Sequence, residues 1–366
     1  MHNHDHEKPN KYLVALILVL SVAGIIFAFS KPPKEEVVSG VVKEIIAEKN
    51  VTQEIDGQDI VEQELSVEIK INGEKKNILV LNDFYPVQTG DEVFISSSFF
   101  EEQKPNVIEI SRNKGLFWLV LFFIALALVT GGWKGFYSLI GLVFSFAVIF
   151  NFIVPAILAG YNPVVIGLSG SVIILIPTLY LSYGWSKKSI AAFVGIILAL
   201  LFVGVLANFL VSTLKFTGLT EEAIFLNIIG SDNAINLVGL LIAGIIIAAV
   251  GVIDDVAVTQ ASTVFNLVSV DSNLRGLALF KKAMVVGKDH ISAVINTLVL
   301  AYTGAALPLI LLLSLRGVSG SYFASMEIVS EEIIRTLVSS SGLLLAVPLT
   351  TLVAVLLLKG KINKQS

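Results

Sequence analysis

The sequence contains no cysteine, and only 15% of its residues are charged. Without cysteine there is no disulfide framework, no thiolate metal site and no cysteine nucleophile. A soluble domain carries about 25% charged residues, so the low charge argues against an ordinary soluble protein. The chain also lacks the patterns G-x-x-x-x-G-K-[ST], H-E-x-x-H and G-x-S-x-G. It therefore has no P-loop for nucleotides and neither of those two hydrolase motifs.

What is abundant is apolar sequence, which makes up 55% of the 366 residues and gives a mean hydropathy of +0.84. The apolar residues come in blocks of roughly 17 to 24, long enough to cross a hydrocarbon core of about 30 Å as helices. We predict eight membrane spans, near residues 13–29, 116–132, 136–156, 164–182, 190–211, 236–253, 291–313 and 337–358. The predicted fold class is an α-helical polytopic membrane protein, with the lipid bilayer as its surroundings.

The charge is divided unevenly along the chain. Residues 34–112 hold 17 acidic and 8 basic residues, a net charge of −9, whereas the remainder has 12 and 17, a net charge of +5. We therefore divide the chain into residues 1–33 (tail and first helix), 34–112 (a separate acidic domain) and 113–366 (seven further spans). An acidic domain on a membrane body does not favour nucleic-acid binding.

Basic residues in short loops orient the spans, because cytoplasmic loops carry an excess of lysine and arginine. With the N-terminus inside, the inner segments hold twelve: Lys8, Lys11, Lys134, Lys187, Lys188, Arg275, Lys281, Lys282, Lys288, Lys359, Lys361 and Lys364. The short outer loops hold three, Lys215, Arg316 and Arg335. We expect both termini in the cytoplasm and residues 34–112 outside. The first span is either an uncleaved anchor, which we prefer, or a cleaved signal ending near Ser30.

Residues 34–112 show the alternation of β-strands. Leu65, Val67 and Ile69 alternate with polar residues, and Asn72-Gly73 then favours a type I′ hairpin turn. Further strands are expected at Val37–Ile46, Ile78–Val80, Glu92–Ser96 and Val107–Ile110. The pattern predicts a small five- or six-stranded β-barrel of OB or SH3-like type, acting either as a rigid cap or as a domain that docks a partner.

Two acidic residues, Asp254 and Asp255, stand at the inner end of the sixth predicted span. If the helix continues, Asp255, Thr259, Ser262 and Asn266 form one polar stripe. Two adjacent carboxylates in a membrane segment are suited to bind a cation or to carry a proton. The alternative is that they cap the following helix and lie in cytoplasmic water.

A second polar cluster precedes the seventh predicted span. It comprises Asp289 and His290, followed by Ser292, Asn296 and Thr297. Histidine titrates near neutral pH, so this pair is a candidate relay or cation site if it approaches Asp254 and Asp255 in space. The alternative is a solvated helix start with Asp289 near the positive end of the helix. The sequence does not name a metal or cofactor.

Before the last predicted span, Ser330-Glu331-Glu332 has the composition of a helix start. Glu331 and Arg335 are four residues apart, which suits an ion pair along one helix face. We interpret this segment as structural.

Five segments carry a resemblance to the YibE/F-like family of bacterial multi-pass membrane proteins. They are Gly251-Val-Ile-Asp254-Asp255-Val-Ala-Val-Thr, Gly287-Lys-Asp289-His290, Asn296-Thr297-Leu-Val-Leu-Ala-Tyr302-Thr-Gly304, Arg335-Thr-Leu-Val-Ser-Ser-Ser-Gly342 and Ala346-Val-Pro348-Leu-Thr-Thr351. The resemblance implies a bacterial cytoplasmic membrane location and the same layout of helices. It also implies a related membrane protein as a partner. Independently of the resemblance, the alternative partner is a second copy of this chain. The resemblance transfers no substrate and no catalytic residue.

Three hypotheses follow for function. The first is a secondary transporter or permease for a small solute or ion. Asp254, Asp255, Asp289 and His290 would bind its cation or proton, and Thr259, Ser262, Asn266, Ser292, Asn296 and Thr297 would line its path. The second is a membrane scaffold or sensor whose outer β domain binds a partner. A metal-dependent enzyme built on the same four residues is the third, and we expect that the protein is not an enzyme.

Overall fold

A computed structural model describes residues 10–29, 37–55, 58–71, 74–83, 86–96, 105–220, 226, 235–315, 317 and 319–359. The predicted Asn72-Gly73 turn, the cleavage position at Ser30 and the N-terminal tail before residue 10 lie outside these residues. The chain forms two compact units. One is Phe29–Gly132, and the other combines Met1–Ala28 with Trp133–Ser366.

The β domain is a single five-stranded antiparallel sheet. Its strands are β1 (Val37–Ile55), β2 (Gln58–Ile71), β3 (Glu74–Asn82), β4 (Glu92–Ser96) and β5 (Val107–Ile110), in the order β3-β2-β1-β4-β5. The predicted alternation is confirmed, because Leu65, Val67 and Ile69 are buried while Lys70 is exposed. The β1–β2 hairpin is longer than predicted and pairs as far as Ile55 with Gln58.

The two edge strands of the sheet, β3 and β5, meet and close it into a barrel. Leu81 in β3 forms a parallel bridge with Asn106, and its N–H donates to the carbonyl oxygen of Pro105 at 3.0 Å. Around the domain the strands therefore follow each other as β1-β2-β3-β5-β4, which is the five-stranded, partly open barrel of the OB type. Of the two predicted barrel types, the strand order selects this one.

The rest of the chain is helical. The helices are α1 (Lys11–Phe29), α2 (Asn113–Val148), α3 (Val154–Leu158), α4 (Pro163–Tyr183), α5 (Lys187–Thr213), α6 (Leu237–Val270), α7 (Gly276–Ala305), α8 (Leu307–Leu315), α9 (Gly320–Ser325) and α10 (Glu327–Lys359). A π-helix over Ile149–Ile153 joins α2 to α3. It precedes Pro155, which has no N–H to donate to the carbonyl four residues earlier.

Within the described residues, seven helical segments are long and apolar enough to cross a membrane. One of them, Asn113–Leu158, has 46 residues and would measure about 69 Å as a straight helix, more than twice a bilayer core. Gly132 interrupts it with φ 54° and ψ −137°, a conformation that glycine adopts readily. This segment therefore contains both predicted spans 116–132 and 136–156, and the protein is a polytopic membrane protein as predicted.

Three long helices, α5, α6 and α10, form the centre of the bundle. They approach closely through glycines. A Cβ on Gly195 of α5 would lie 2.9 Å from the Cα of Thr350 in α10, and one on Gly342 of α10 would lie 3.0 Å from Ile253 in α6. Small residues allow membrane helices to pack at short distance, so these glycines fix the depth at which the three helices meet.

Two helices differ in extent from the spans predicted within them. The sixth predicted span ends at residue 253, but α6 continues to Val270. The seventh begins at residue 291, but α7 begins at Gly276 and ends at Ala305, before the predicted end at 313. In both cases the helix extends through polar residues, because backbone hydrogen bonding does not depend on the hydropathy of the side chains.

Candidate functional site

Asp254 lies in the interior of a continuous helix and not at its end. The residue is at the midpoint of the 34-residue α6. Its neighbour Ile253 is fully buried and contacts Gly342, which is near the midpoint of α10. The helix thus continues past the inner end of the sixth predicted span, and the position of Asp254 relative to the membrane stays a prediction. The capping alternative is wrong, because no helix begins at Asp254 or Asp255.

Asp254 and Asp255 have different surroundings. Asp255 is exposed, whereas Asp254 is partly buried. The Oδ1 atom of Asp254 is shielded from solvent and has no hydrogen-bond partner among the described residues. Tyr183, at the end of α4, is close enough for both carboxylates to act on its hydroxyl group electrostatically. A shielded carboxylate oxygen without a donor is costly, and such positions are candidates for binding a proton or cation.

The predicted stripe on α6 exists as a surface feature. Asp255, Thr259 and Asn266 are exposed and Ser262 is partly exposed, while Val258 and Ala261 beside them are buried. The stripe therefore faces away from the packed centre of the bundle. It extends from Asp255, level with Asp254, to the C-terminal end of α6, so it connects the candidate site with that end of the helix.

Asp289 and His290 lie inside α7 and not at its start, because the helix begins at Gly276. The interpretation as a helix start is therefore wrong. Asp289 is exposed and His290 is partly buried. Nowhere in the described ranges do three or more histidine, aspartate or glutamate side chains gather to hold a metal ion. Asp254, Asp255, Asp289 and His290 thus do not assemble into a metal centre.

The other predicted path residues on α7 share the exposed side of that helix. Ser292, Asn296 and Thr297 are exposed, and the Thr297 hydroxyl group donates to the carbonyl oxygen of Ala293 at 3.1 Å. The buried side of α7 consists of Leu279, Ala283 and Gly287. Within a single chain, the three polar side chains therefore do not line the interior that contains Asp254.

A buried polar contact that the sequence did not indicate links three helices. Gln260 of α6 is 3% exposed, and its amide donates to the Ala283 carbonyl oxygen at 3.1 Å and to the Thr351 hydroxyl group at 2.7 Å. Gly287 permits this approach, since a Cβ there would lie 3.0 Å from the Gln260 Oε1 atom. The contact joins α6, α7 and α10 on one side of Asp254.

The buried face of α10 is also polar, which hydropathy did not indicate. Its buried polar residues are Glu331, Thr336, Ser339, Ser340, Thr350 and Thr351. Two hydroxyl groups, those of Ser340 and Thr350, have no partner among the described residues. Their helical spacing is the only sequence signal, because serine and threonine scarcely change the hydropathy of a span.

A cavity of about 250 Å³ lies between the second half of α7, α8, α9 and the beginning of α10. Its lining is mainly apolar and includes Tyr302 and Phe323, while Thr303, Glu332 and Thr336 contribute polar atoms. Pockets of this composition bind small molecules through apolar contact and a few polar groups.

The helices, the separate OB-type domain and the polar positions inside the bundle define a polytopic helical membrane protein with an additional β domain. A family model described as YibE/F-like protein matches residues 119–360, which is more than half of the chain. The chain therefore belongs to the YibE/F-like family. No curated protein and no solved structure matches it.

Proposed function

We propose that this protein is a secondary transporter or permease for a small solute or ion, and that Asp254 binds the proton or cation coupled to transport. The observation that carries the proposal is the shielded Oδ1 atom of Asp254 at the midpoint of α6, without a hydrogen-bond donor among the described residues. Sites in secondary transporters typically lie between packed helices.

The chemistry of this position favours binding of a positive ion. A carboxylate in lipid-like surroundings costs several kcal/mol, and a nearby second carboxylate increases that cost. Asp255 is such a neighbour, since it directly follows Asp254 in α6. A proton or cation on Asp254 removes the penalty, and its release restores it, so the site can alternate between two states.

Asp255 and the stripe after it supply a route between this position and one side of the membrane. The exposed side chains of Asp255, Thr259 and Asn266 continue from the level of Asp254 to the end of α6. The excess of basic residues in the loops assigns that end to the cytoplasm, with residues 34–112 outside the cell. We place the protein in the bacterial cytoplasmic membrane, as its family membership suggests.

Thermal unfolding of the purified, detergent-solubilised protein tests this assignment across pH values, mono- and divalent cations and small solutes. A ligand that binds only the folded state stabilises it by RT ln(1 + [L]/Kd), about 2.7 kcal/mol at a hundredfold excess over Kd. We expect a stabilising ligand whose effect disappears in Asp254→Asn and persists in Asp289→Asn. Stabilisation that is unchanged in Asp254→Asn would refute the site.

A second candidate function, a partner-binding membrane scaffold, is favoured by the exposed side of α7. Asp289, Ser292 and Asn296 are exposed in the single chain, although α7 is one of the candidate membrane spans. Polar side chains in a membrane helix usually face other protein and not lipid. The amide of Asn296 both donates and accepts, so two copies related by a two-fold axis can bond through it. A second copy of this chain is therefore the proposed partner.

Deletion of residues 34–112 tests a scaffold that recognises its partner through the outer domain, because such a scaffold loses partner binding in the deletion variant. Two copies that meet along α7 stay associated in the same variant, since α7 is retained. A permease whose site is Asp254 keeps residual flux, because the site belongs to the helical unit.

A further inference from the structure

The beginning of α10 contains three glutamates, Glu327, Glu331 and Glu332, which differ in their hydrogen bonds and in their exposure to solvent. The carboxylate of Glu327 accepts hydrogen bonds from the Thr217 hydroxyl group at 2.8 Å and from the Gly218 N–H at 3.0 Å. The carboxylate of Glu332 pairs with Arg335 at 3.0 Å, and both of these side chains are 33% exposed. Each of these two carboxylates therefore has donors, and each retains contact with solvent or with the loop after α5.

Glu331, between them, is more enclosed. It is only 4% exposed, and its Oε1 atom has no hydrogen-bond partner among the described residues. The spacing of Glu331 and Arg335 suits an ion pair, but the guanidinium group pairs with Glu332 three positions away instead. Because α10 begins at Glu327 and Arg335 pairs with Glu332, both the predicted helix start at Ser330 and the predicted Glu331–Arg335 pair are wrong. The Nη1 atom of Arg335 is taken up by Glu332, and the buried Nε atom of Arg335 forms no hydrogen bond with Glu331 or with any other described residue.

A buried negative charge on a carboxylate is costly, and either a metal ion or a proton can neutralise it. Calcium requires six or more oxygen ligands, and zinc requires four ligands. The described residues contain no group of acidic or histidine side chains that provides either set. A proton needs only the one oxygen. The geometry points to proton binding: we infer that Glu331 is a second proton-binding residue of the helix bundle, at the end opposite the Asp255–Asn266 stripe.

The position of Glu331 gives this proton a role in the proposed permease, and that role rests on the proposed function. Glu331 and Gly342 are separated by about 16 Å along α10. Between them, Ser339 and Ser340 are buried on the same helix, and the hydroxyl group of Ser340 has no partner among the described residues. Gly342 contacts Ile253, the residue before Asp254. Glu331 and Gly342 are eleven residues apart, about three helical turns, so they lie on the same side of α10, and Gly342 is at the depth of Asp254.

The charged groups that act on Glu331 within the described chain are Glu327, Glu332 and Arg335, all on α10 itself. The helices packed against this part of the bundle contribute no described charge to it. Glu332 also lines the cavity beside α7, so the position next to Glu331 is open to small molecules. A proton that exchanges at Glu331 can therefore reach the cavity that Glu332 lines.

Infrared spectroscopy of the full-length protein in lipid tests the inference, because a protonated carboxylic acid has a carbonyl stretch that a carboxylate lacks. At neutral pH we expect such a band in the wild-type protein, with one component that is lost in Glu331→Gln and persists in both Glu332→Gln and Asp254→Asn. A spectrum of Glu331→Gln identical to that of the wild-type protein overturns the inference. Should Glu331→Gln fail to fold, Glu331→Asp serves instead. The shorter side chain moves the carboxylic acid, so the frequency of the carbonyl band must change, and an unchanged band would refute the inference.

The outcome is independent of transport. A Glu331 band in a protein without any flux would leave this residue as a proton-binding group and refute the permease. Proton flux that depends on Asp254, in a protein without a Glu331 band, would refute only the present inference.

Discussion

Thr350 of α10 lies directly against the backbone of Gly195 in α5, so that a Cβ at residue 195 would be 2.9 Å from the Thr350 Cα atom. This is closer than non-bonded carbon atoms approach, and the clash is with backbone as well as with side chain. The contact shows that α5 and α10 are held together by the absence of a side chain at Gly195.

The first prediction is that Gly195→Ala destabilises the protein. The added methyl group forces α5 and α10 apart, which costs about 1–3 kcal/mol in a well-packed core. Gly204→Ala, on the same helix, is the matched control, because its Cβ would meet only Ile246 Cδ1 at an ordinary 3.5 Å. Thermal unfolding in detergent measures both. Equal stability of the two variants would contradict the packing described here.

The second prediction compares two adjacent threonines. The Thr351 hydroxyl group accepts from Gln260 at 2.7 Å, whereas that of Thr350 has no partner among the described residues. Thr351→Val leaves the Gln260 amide short of an acceptor and should cost about 1 kcal/mol. Thr350→Val removes a buried hydroxyl group that forms no bond, so it should be neutral or stabilising. The order of the two unfolding midpoints checks this, and the reverse order would refute the assigned hydrogen bond.

Much of this fold was predictable from the sequence. Apolar blocks of the correct length located the spans, and strict alternation located strands such as Glu92–Ser96 and Val107–Ile110, which the structure reproduces at the same residues. These features depend on local periodicity, which a single segment contains in full. The closure of the sheet between Leu81 and Asn106 joins residues that are distant in sequence, so local patterns selected no single barrel type.

The site was less predictable, for a related reason. Hydropathy marks where lipid begins and ends, not where a helix ends, so it did not indicate that α6 continues to Val270 with Asp254 at its midpoint. The buried polar face of α10 escaped notice because Ser339 and Ser340 are nearly neutral in hydropathy. Whether Asp289 approaches Asp254 depends on helix packing, which neither residue's neighbours in sequence determine.

The third prediction concerns the exposed side of α7 and uses the absence of cysteine from the chain. Single cysteines at Ser292→Cys and Asn296→Cys should form disulfide-linked dimers in oxidised membranes if a second copy covers this face. Val205→Cys on α5 is the control, since Val205 is 71% exposed but apolar and should face lipid. Gel mobility without reductant measures the dimer. Cross-linking no greater than at Val205→Cys would contradict the proposed second copy.

The fourth prediction is that Asp254 is costly to the folded state. Asp254→Asn removes the charge but keeps the shape, so it should raise the free energy of unfolding at neutral pH by about 1 kcal/mol. Asp255→Asn should change it by no more than about 0.5 kcal/mol, because Asp255 is exposed. Thermal unfolding of both variants distinguishes them. Destabilisation by Asp254→Asn would mean that its carboxylate has a partner after all.

The most direct test of the central claim is proton flux in liposomes that contain the purified protein and a trapped pH-sensitive dye. An imposed pH gradient is followed with and without added cations and solutes. For a permease with its site at Asp254, the wild-type protein moves protons, Asp254→Asn does not, and Asp289→Asn resembles the wild-type protein. Equal flux through wild-type and Asp254→Asn protein, with both shown to be folded, would contradict the account.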